Sequence, residues 1–131
     1  MYGEPLRPLV QQAFTAPGNR FVVARDDDRA VGCARLWDVG QSSYVSAVTV
    51  LPGERGRGVG TAISAHLTRL GLARHPLTWL TCEAHLVPMY QRLGYERVGT
   101  HVQARPDRLS RPRQPGPLRW LRCGRPPRLS R

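Results

Sequence analysis

Apolar and polar residues alternate in three short stretches before residue 52 and then change to a helical rhythm. Phe21-Val22-Val23-Ala24, Ala30 to Trp37 and Tyr44 to Leu51 each predict a strand. The polar run Asp26-Asp27-Asp28-Arg29 joins the first two as a hairpin, and Gly40-Gln41-Ser42 turns the chain into the third. On a regular third strand, Val45, Ala47, Thr49 and Leu51 share one face, and Tyr44, Ser46, Val48 and Val50 the other. Val59, Ile63, Leu67 and Leu70 then form one stripe of a helix running to about Arg74, stopped by His75-Pro76. Leu77 to Cys82 predicts a strand. Pro88 to Leu93 suits a short helix, with proline in its first turn and Gly94 just past its end. Tyr95 to Val102 predicts a last strand. Ahead of all this, Leu6, Leu9, Val10 and Phe14 have helical spacing, and Pro17-Gly18-Asn19 ends that segment.

A helix between the third and fourth strands is a crossover, which requires a parallel pair there, while the hairpins are antiparallel. The expected class is α/β (α+β): a mixed, mostly antiparallel sheet flanked by helices. With 131 residues and 40% hydrophobic content, the chain suits one domain, residues 1–102 with its core in 20–102. Beyond about residue 103, arginine and proline dominate, and the composition predicts a disordered tail over 103–131. Trp120-Leu121 is its one apolar spot and could dock locally.

Charge divides the same way. Of a net +11, residues 1–100 hold 11 arginines against 8 acidic residues, and 101–131 hold 9 against one. The folded part is only mildly basic, so nucleic-acid binding would belong to the tail alone. No apolar run approaches the roughly 18 residues that a membrane helix needs. The N-terminus lacks a secretory pattern. Cys33, Cys82 and Cys123 are odd in number and scattered, which argues against a disulfide framework and a zinc site and makes the cytoplasm the default compartment. Asp26-Asp27-Asp28 has no further ligand at calcium-loop spacing, so no metal is expected.

The chemistry concentrates where the third strand meets the helix. Val48-Thr49-Val50-Leu51-Pro52 runs into Arg55-Gly56-Arg57-Gly58-Val59-Gly60-Thr61. A strand that passes through glycines into a helix N-terminus brings free N–H groups and the positive end of the helix dipole to one place, which suits a phosphate or pyrophosphate. A P-loop is excluded because the chain has no lysine. The dinucleotide fingerprint fails because Thr61 and Ile63 stand where its third glycine belongs. What remains is R-x-x-G-x-G.

In this setting the chain resembles the GNAT acetyltransferase superfamily, whose acetyl-CoA signature is [QR]-x-x-G-x-[GA] between a strand and a helix. Met89-Tyr90-Gln91-Arg92-Leu93-Gly94-Tyr95 is similar to the family's L-Y-x-x-x-G-[FY] segment, and the resemblance covers about residues 20–102. It implies an N-acetyltransferase that moves an acetyl group from acetyl-CoA to a small-molecule or peptide amine by direct attack. Backbone amides from Gly56 through Thr61 would cradle the pyrophosphate, with Arg55 and Arg57 beside it. Val48, Thr49 and Val50 would bring the strand to the pantetheine arm, the backbone groups of Val48 and Val50 pairing with it. An amide near Val48 would polarise the acetyl carbonyl. Tyr90 would protonate the leaving thiolate. The base is open among Glu83 at the fourth strand's end, His85, Glu54 and a water chain. Relative to the family, few residues precede Phe21, so its first strand is expected to be missing or vestigial, and its second C-terminal strand is expected to be replaced by the tail. A second copy could supply a missing edge strand, giving a homodimer. Two other readings follow: an acetyl-CoA-binding module without transfer, or a basic-tail nucleic-acid binder.

Overall fold

Alternation carries six strands into one sheet in the computed structural model, which describes residues 15–101 and 118–124. The strands are β1 (Asn19–Asp26), β2 (Arg29–Val39), β3 (Ser42–Val50), β4 (Leu77–Cys82), β5 (Glu96–His101) and β6 (Leu118–Gly124). Their order across the sheet is β1-β2-β3-β4-β6-β5. Helix α1 (Val59–Leu72) is the crossover that makes β3 and β4 parallel, and α2 (Val87–Arg92) leads into β5. All other strand pairs are antiparallel, so the mixed α+β class read from the sequence holds.

The arginine- and proline-rich composition predicts disorder for the whole of 103–131, and β6 corrects that for 118–124. The window Leu118-Arg119-Trp120-Leu121-Arg122-Cys123-Gly124 is free of proline, although prolines stand close on both sides. It inserts between β4 and β5, and Leu121 lies fully buried opposite Leu80. Averaged composition hid a seven-residue strand in which Leu121 is fully buried. The second C-terminal strand expected to be missing is therefore present. The helix read over residues 4–14 lies outside the described residues, as do Val102 at the end of the last predicted strand and 103–117 and 125–131 of the tail.

Both helices pack on one face of the sheet. The core there gathers Leu36, Val45, Ile63, Leu67, Leu80, Tyr90, Tyr95 and Leu121. Helix α1 meets the sheet closely at Gly71, where an added Cβ would stand 2.4 Å from Thr78 Oγ1 and 3.0 Å from Ser43 Cβ. At the far end of α1, Asp38 accepts from Arg74 at 2.6 Å and from Ser43 Oγ at 3.3 Å, tying the helix end to β2. The Arg74 hydrogen bond, helped by the charges of Arg74 and His75, holds the Asp38 pKa below its ordinary value despite some burial.

Strand β3 departs from regular alternation. Cys33 pairs with Thr49 and Arg35 with Ser46, so Ala47 and Val48 together oppose Ala34. Ala47 sits at φ 54°, and this bulge shifts the phase of everything after it. Val48 consequently packs toward the core with Val45, and Val50 meets α1 at Gly60. The regular alternation, which put Val45 and Val48 on opposite faces, is thereby corrected.

Candidate functional site

The bulge also opens the sheet. Strands β3 and β4 pair from Ser42↔Leu77 to Val45↔Leu80 and no further. Beyond that point β3 continues to Val50 beside β2 alone. The Leu51 amide donates to the Val31 carbonyl of β2 at 2.9 Å. Alternation along the strand then turns the backbone groups of Val48 and Val50 away from β2, into the wedge between β3 and β4. An extended ligand laid there meets strand-edge hydrogen-bonding groups.

At the wide end of the wedge lies the glycine loop. Gly56 and Gly58 have φ values of 78° and 82°, which only glycine adopts without cost. Gly58 is the residue before α1 and makes no side-chain cap. The first bond into the helix runs from the Ala62 amide to the Gly58 carbonyl at 2.9 Å. The amides ahead of it, through Thr61, have no intrahelical acceptor and lie at the positive end of the helix dipole. They border an open cavity of about 400 Å³ lined by Val50, Glu54, Arg55, Gly56, Gly58, Val59, Gly60 and Thr61, together with Met89 and Arg92 of α2.

Ion pairs tie this loop to the β1–β2 hairpin. Glu54, only 6% exposed, accepts from Arg29 and from Arg57. Arg57 also reaches Asp26 at 3.3 Å. Glu54 is thus an anchor between two guanidiniums, and the side chain of Arg57 turns to the β1–β2 hairpin. Arg55 Nε donates to the Val50 carbonyl at 3.3 Å and stays exposed beside the cavity. Arg92 is a cationic wall that sequence reasoning missed. Its position on a short helix carried no signal until the fold brought α2 across from the loop.

Tyr90 lies at the core side of the wedge, 4% exposed, its ring edge-on to Tyr95 at 5.7 Å between centroids. Burial raises its pKa, so it stays a protonated phenol, as a proton donor must. Cys82 beside it is a buried thiol pushed up to about 11 by desolvation and the charge of Glu83, which makes it a poor nucleophile. Glu83 itself follows β4 with an exposed carboxylate, 3.3 Å from His85 Nδ1. By strand parity Glu83 falls on the face of Trp79 and Thr81, opposite the helices. Tyr90 thus lies in the core on the helix side of the sheet, while Glu83 stands exposed just past the end of β4.

No helix among the described residues covers that second face. It carries Tyr44 against Trp79 at 4.3 Å, with the Tyr44 hydroxyl 3.2 Å from Thr81 Oγ1. Arg35 Nε donates to Ser46 Oγ at 3.0 Å and its guanidinium lies 5.5 Å from the Trp37 ring centroid. Sequence reasoning did not single out Arg35, Tyr44 or Trp79 for the site. Their signal was large side chains at outward positions of strands.

Residues 17–97 match the acetyltransferase (GNAT) domain family. The chain belongs to this family. It is an acyltransferase, and acetyl-CoA is its co-substrate. No curated protein matches its sequence significantly. Solved acetyltransferases share its fold. An aminoglycoside 6'-N-acetyltransferase complexed with coenzyme A superposes with a TM-score of 0.73 at 19% identity, covering 95% of this chain and 84% of that one. A GNAT family acetyltransferase from Elizabethkingia anophelis with acetyl-CoA bound gives 0.73 at 13% identity, covering 92% and 84%. The ribosomal-protein-S18-alanine N-acetyltransferase from Escherichia coli gives 0.72 at 15%, covering 89% and 75%. This acetyltransferase presents, among its described residues, loop amides without an intrahelical acceptor, a strand edge left free by β4 and a buried, protonated phenol.

Proposed function

We propose that this acetyltransferase transfers the acetyl group of acetyl-CoA directly to the nitrogen of an amine acceptor. The observation that carries the reading is the wedge itself: β3 parts from β4 after Val45, and the glycine loop opens at its wide end. Acetyl-CoA supplies an activated acyl carbon. Amides of Gly56 through Thr61 hold its diphosphate, with Arg55 and Arg92 adding charge. The backbone groups of Val48 and Val50 fix the pantetheine arm, and the Val48 amide supports the negative charge that develops on the carbonyl oxygen. Tyr90 gives its proton to the thiolate as the C–S bond breaks.

The helices fill one side of the wedge, so the acceptor approaches from the open sheet face. Glu83 is the proposed base there, taking the proton that the amine loses. Holding both reactants in line supplies much of the rate, up to about 7–11 kcal/mol for well-oriented pairs. The cytoplasm is the proposed compartment, in keeping with three free cysteines.

Calorimetry with CoA tests the loop, and thiol release from acetyl-CoA across a panel of amines tests transfer. Tyr90→Phe is expected to lower kcat about 100-fold or more while the Kd for CoA holds. Binding without thiol release from any amine would instead identify a binding module. Full turnover by Tyr90→Phe would remove Tyr90 from the chemistry.

A further inference from the structure

The last pair that joins β3 to β4 is Val45↔Leu80, and both of its side chains are buried toward the helices. One residue further on each strand stand Ser46 and Thr81, whose side chains by alternation lie on the open face. Each is tied to a larger neighbour. Arg35 Nε donates to Ser46 Oγ at 3.0 Å, and the Tyr44 hydroxyl lies 3.2 Å from Thr81 Oγ1. The mouth of the wedge on this face therefore has the Tyr44–Trp79 ring pair at its closed end and a guanidinium on its β2 side. Arg35 is held there but not neutralised. Its guanidinium lies 5.5 Å from the Trp37 ring centroid, within cation–π range, and Ser46 is a neutral acceptor. Neither Nη nitrogen has an acceptor among the described residues. Arg122, across from Trp79 on β6, is paired instead with Glu96 at 3.6 Å.

A guanidinium fixed by its Nε, with both Nη groups open, is a fork that matches a carboxylate bidentately. We propose that the acceptor is an amine that also carries a carboxylate, an amino acid, whose carboxylate is held by Arg35 while its amine lies toward Glu83. This rests on the direct-transfer reading given above. Charge complementarity supports it: a cation on the β2 side of the mouth, and the exposed Glu83 carboxylate past the end of β4 on the same face. Only β3 separates Arg35 from the wedge, a strand spacing of about 4.8 Å, so a small zwitterion suits the span. A polyamine or other polycation meets charge of its own sign at Arg35, which selects against it. The step balances. The amine nitrogen bonds to the acetyl carbon and the C–S bond breaks. Glu83 takes the amine proton, the thiolate takes one from Tyr90, and both groups reset through solvent, leaving an N-acetyl amino acid and CoA.

The test needs no variant at first. Thiol release from acetyl-CoA is measured with the full chain on glycine, β-alanine and phenylalanine, each against its carboxamide, with spermidine as the polycation. The carboxylates should lead in kcat/KM by about tenfold or more, the scale of a charge-assisted hydrogen bond. Arg35→Gln should then raise KM for the carboxylate acceptors by about 10- to 100-fold and erase their lead. Its KM for acetyl-CoA, its Kd for CoA by calorimetry and its rate with the carboxamides should stay at the parent's values, a pattern that general unfolding does not give. Carboxamides or spermidine turned over as well as the amino acids would overturn the proposal and leave amine acetylation standing. A carboxylate preference that survives Arg35→Gln would overturn the role of Arg35. If CoA binds and no amine of any charge releases thiol, the transfer reading itself falls and this proposal goes with it.

Discussion

Gly58→Ala separates backbone strain from ligand binding. Gly58 sits at φ 82°, and a Cβ built there meets no heavy atom within 4 Å. The substitution therefore creates no collision. Its cost is that of an L-residue in left-handed backbone, about 1–2 kcal/mol. For a domain of this size that is a Tm loss of roughly 5 °C without ligand. Gly40→Ala is a matched control. It also has a positive φ, 58°, and open space around the new methyl, but it lies in the β2–β3 turn, outside the lining of the cavity. Both variants should lose similar Tm when free. With saturating CoA they should part. Gly40→Ala should keep the parent's ligand-induced gain, whereas on the proposed assignment the Gly58 methyl would crowd the phosphate oxygens that approach the loop amides. A tenfold weaker Kd removes about 1.4 kcal/mol of ligand stabilisation, another several degrees. Differential scanning fluorimetry over a CoA titration reads both effects. Equal CoA-induced gains in the two variants would refute the assignment of the phosphate to this loop.

Three further outcomes follow. Leu121→Ala should lose about 2–5 kcal/mol in urea unfolding, because Leu121 is fully buried within β6; a loss near zero would mean that the strand is dispensable. Gly71→Ala should destabilise by about 1–3 kcal/mol through collision with Thr78 and Ser43, outweighing the roughly 1 kcal/mol gained in helix propensity, as thermal melts would show. Asp38 has a folded pKa below its ordinary 3.8, so its contribution is complete above that value and is lost as pH falls through the folded pKa. The stability gap between parent and Asp38→Asn should be full at pH 7 and shrink in acid; a gap independent of pH would refute the ion-pair account.

The legibility of this chain was uneven for physical reasons. Strands β1 to β4 and helix α1 followed periodicity because each buries one face, and the turn before α1 was readable because alternating glycines favour left-handed backbone. The bulge at Ala47 was not readable. Alanine carries no mark of positive φ, and a one-residue slip reverses every inward assignment after it, as Val48 and Val50 did. Ser64, Thr68 and Gly71 sit on the buried face of α1, yet their small or polar types made that face look narrower than it is. Strand β6 was lost to averaging, since arginines and prolines around it outweighed its few apolar residues. Arg92 and Arg35 needed the tertiary fold before either gained a place beside the wedge.

Seating β6 between β4 and β5 has a consequence for biogenesis. A ribosome completes every other strand of this sheet first, so two edges of the nascent protein must wait, unzipped, for a late seven-residue insert. Translation needs on the order of seconds to reach it. During that interval the half-built protein exposes main-chain hydrogen-bonding groups and the apolar floor that Leu121 later seals, a window in which chaperones or proteases compete with completion.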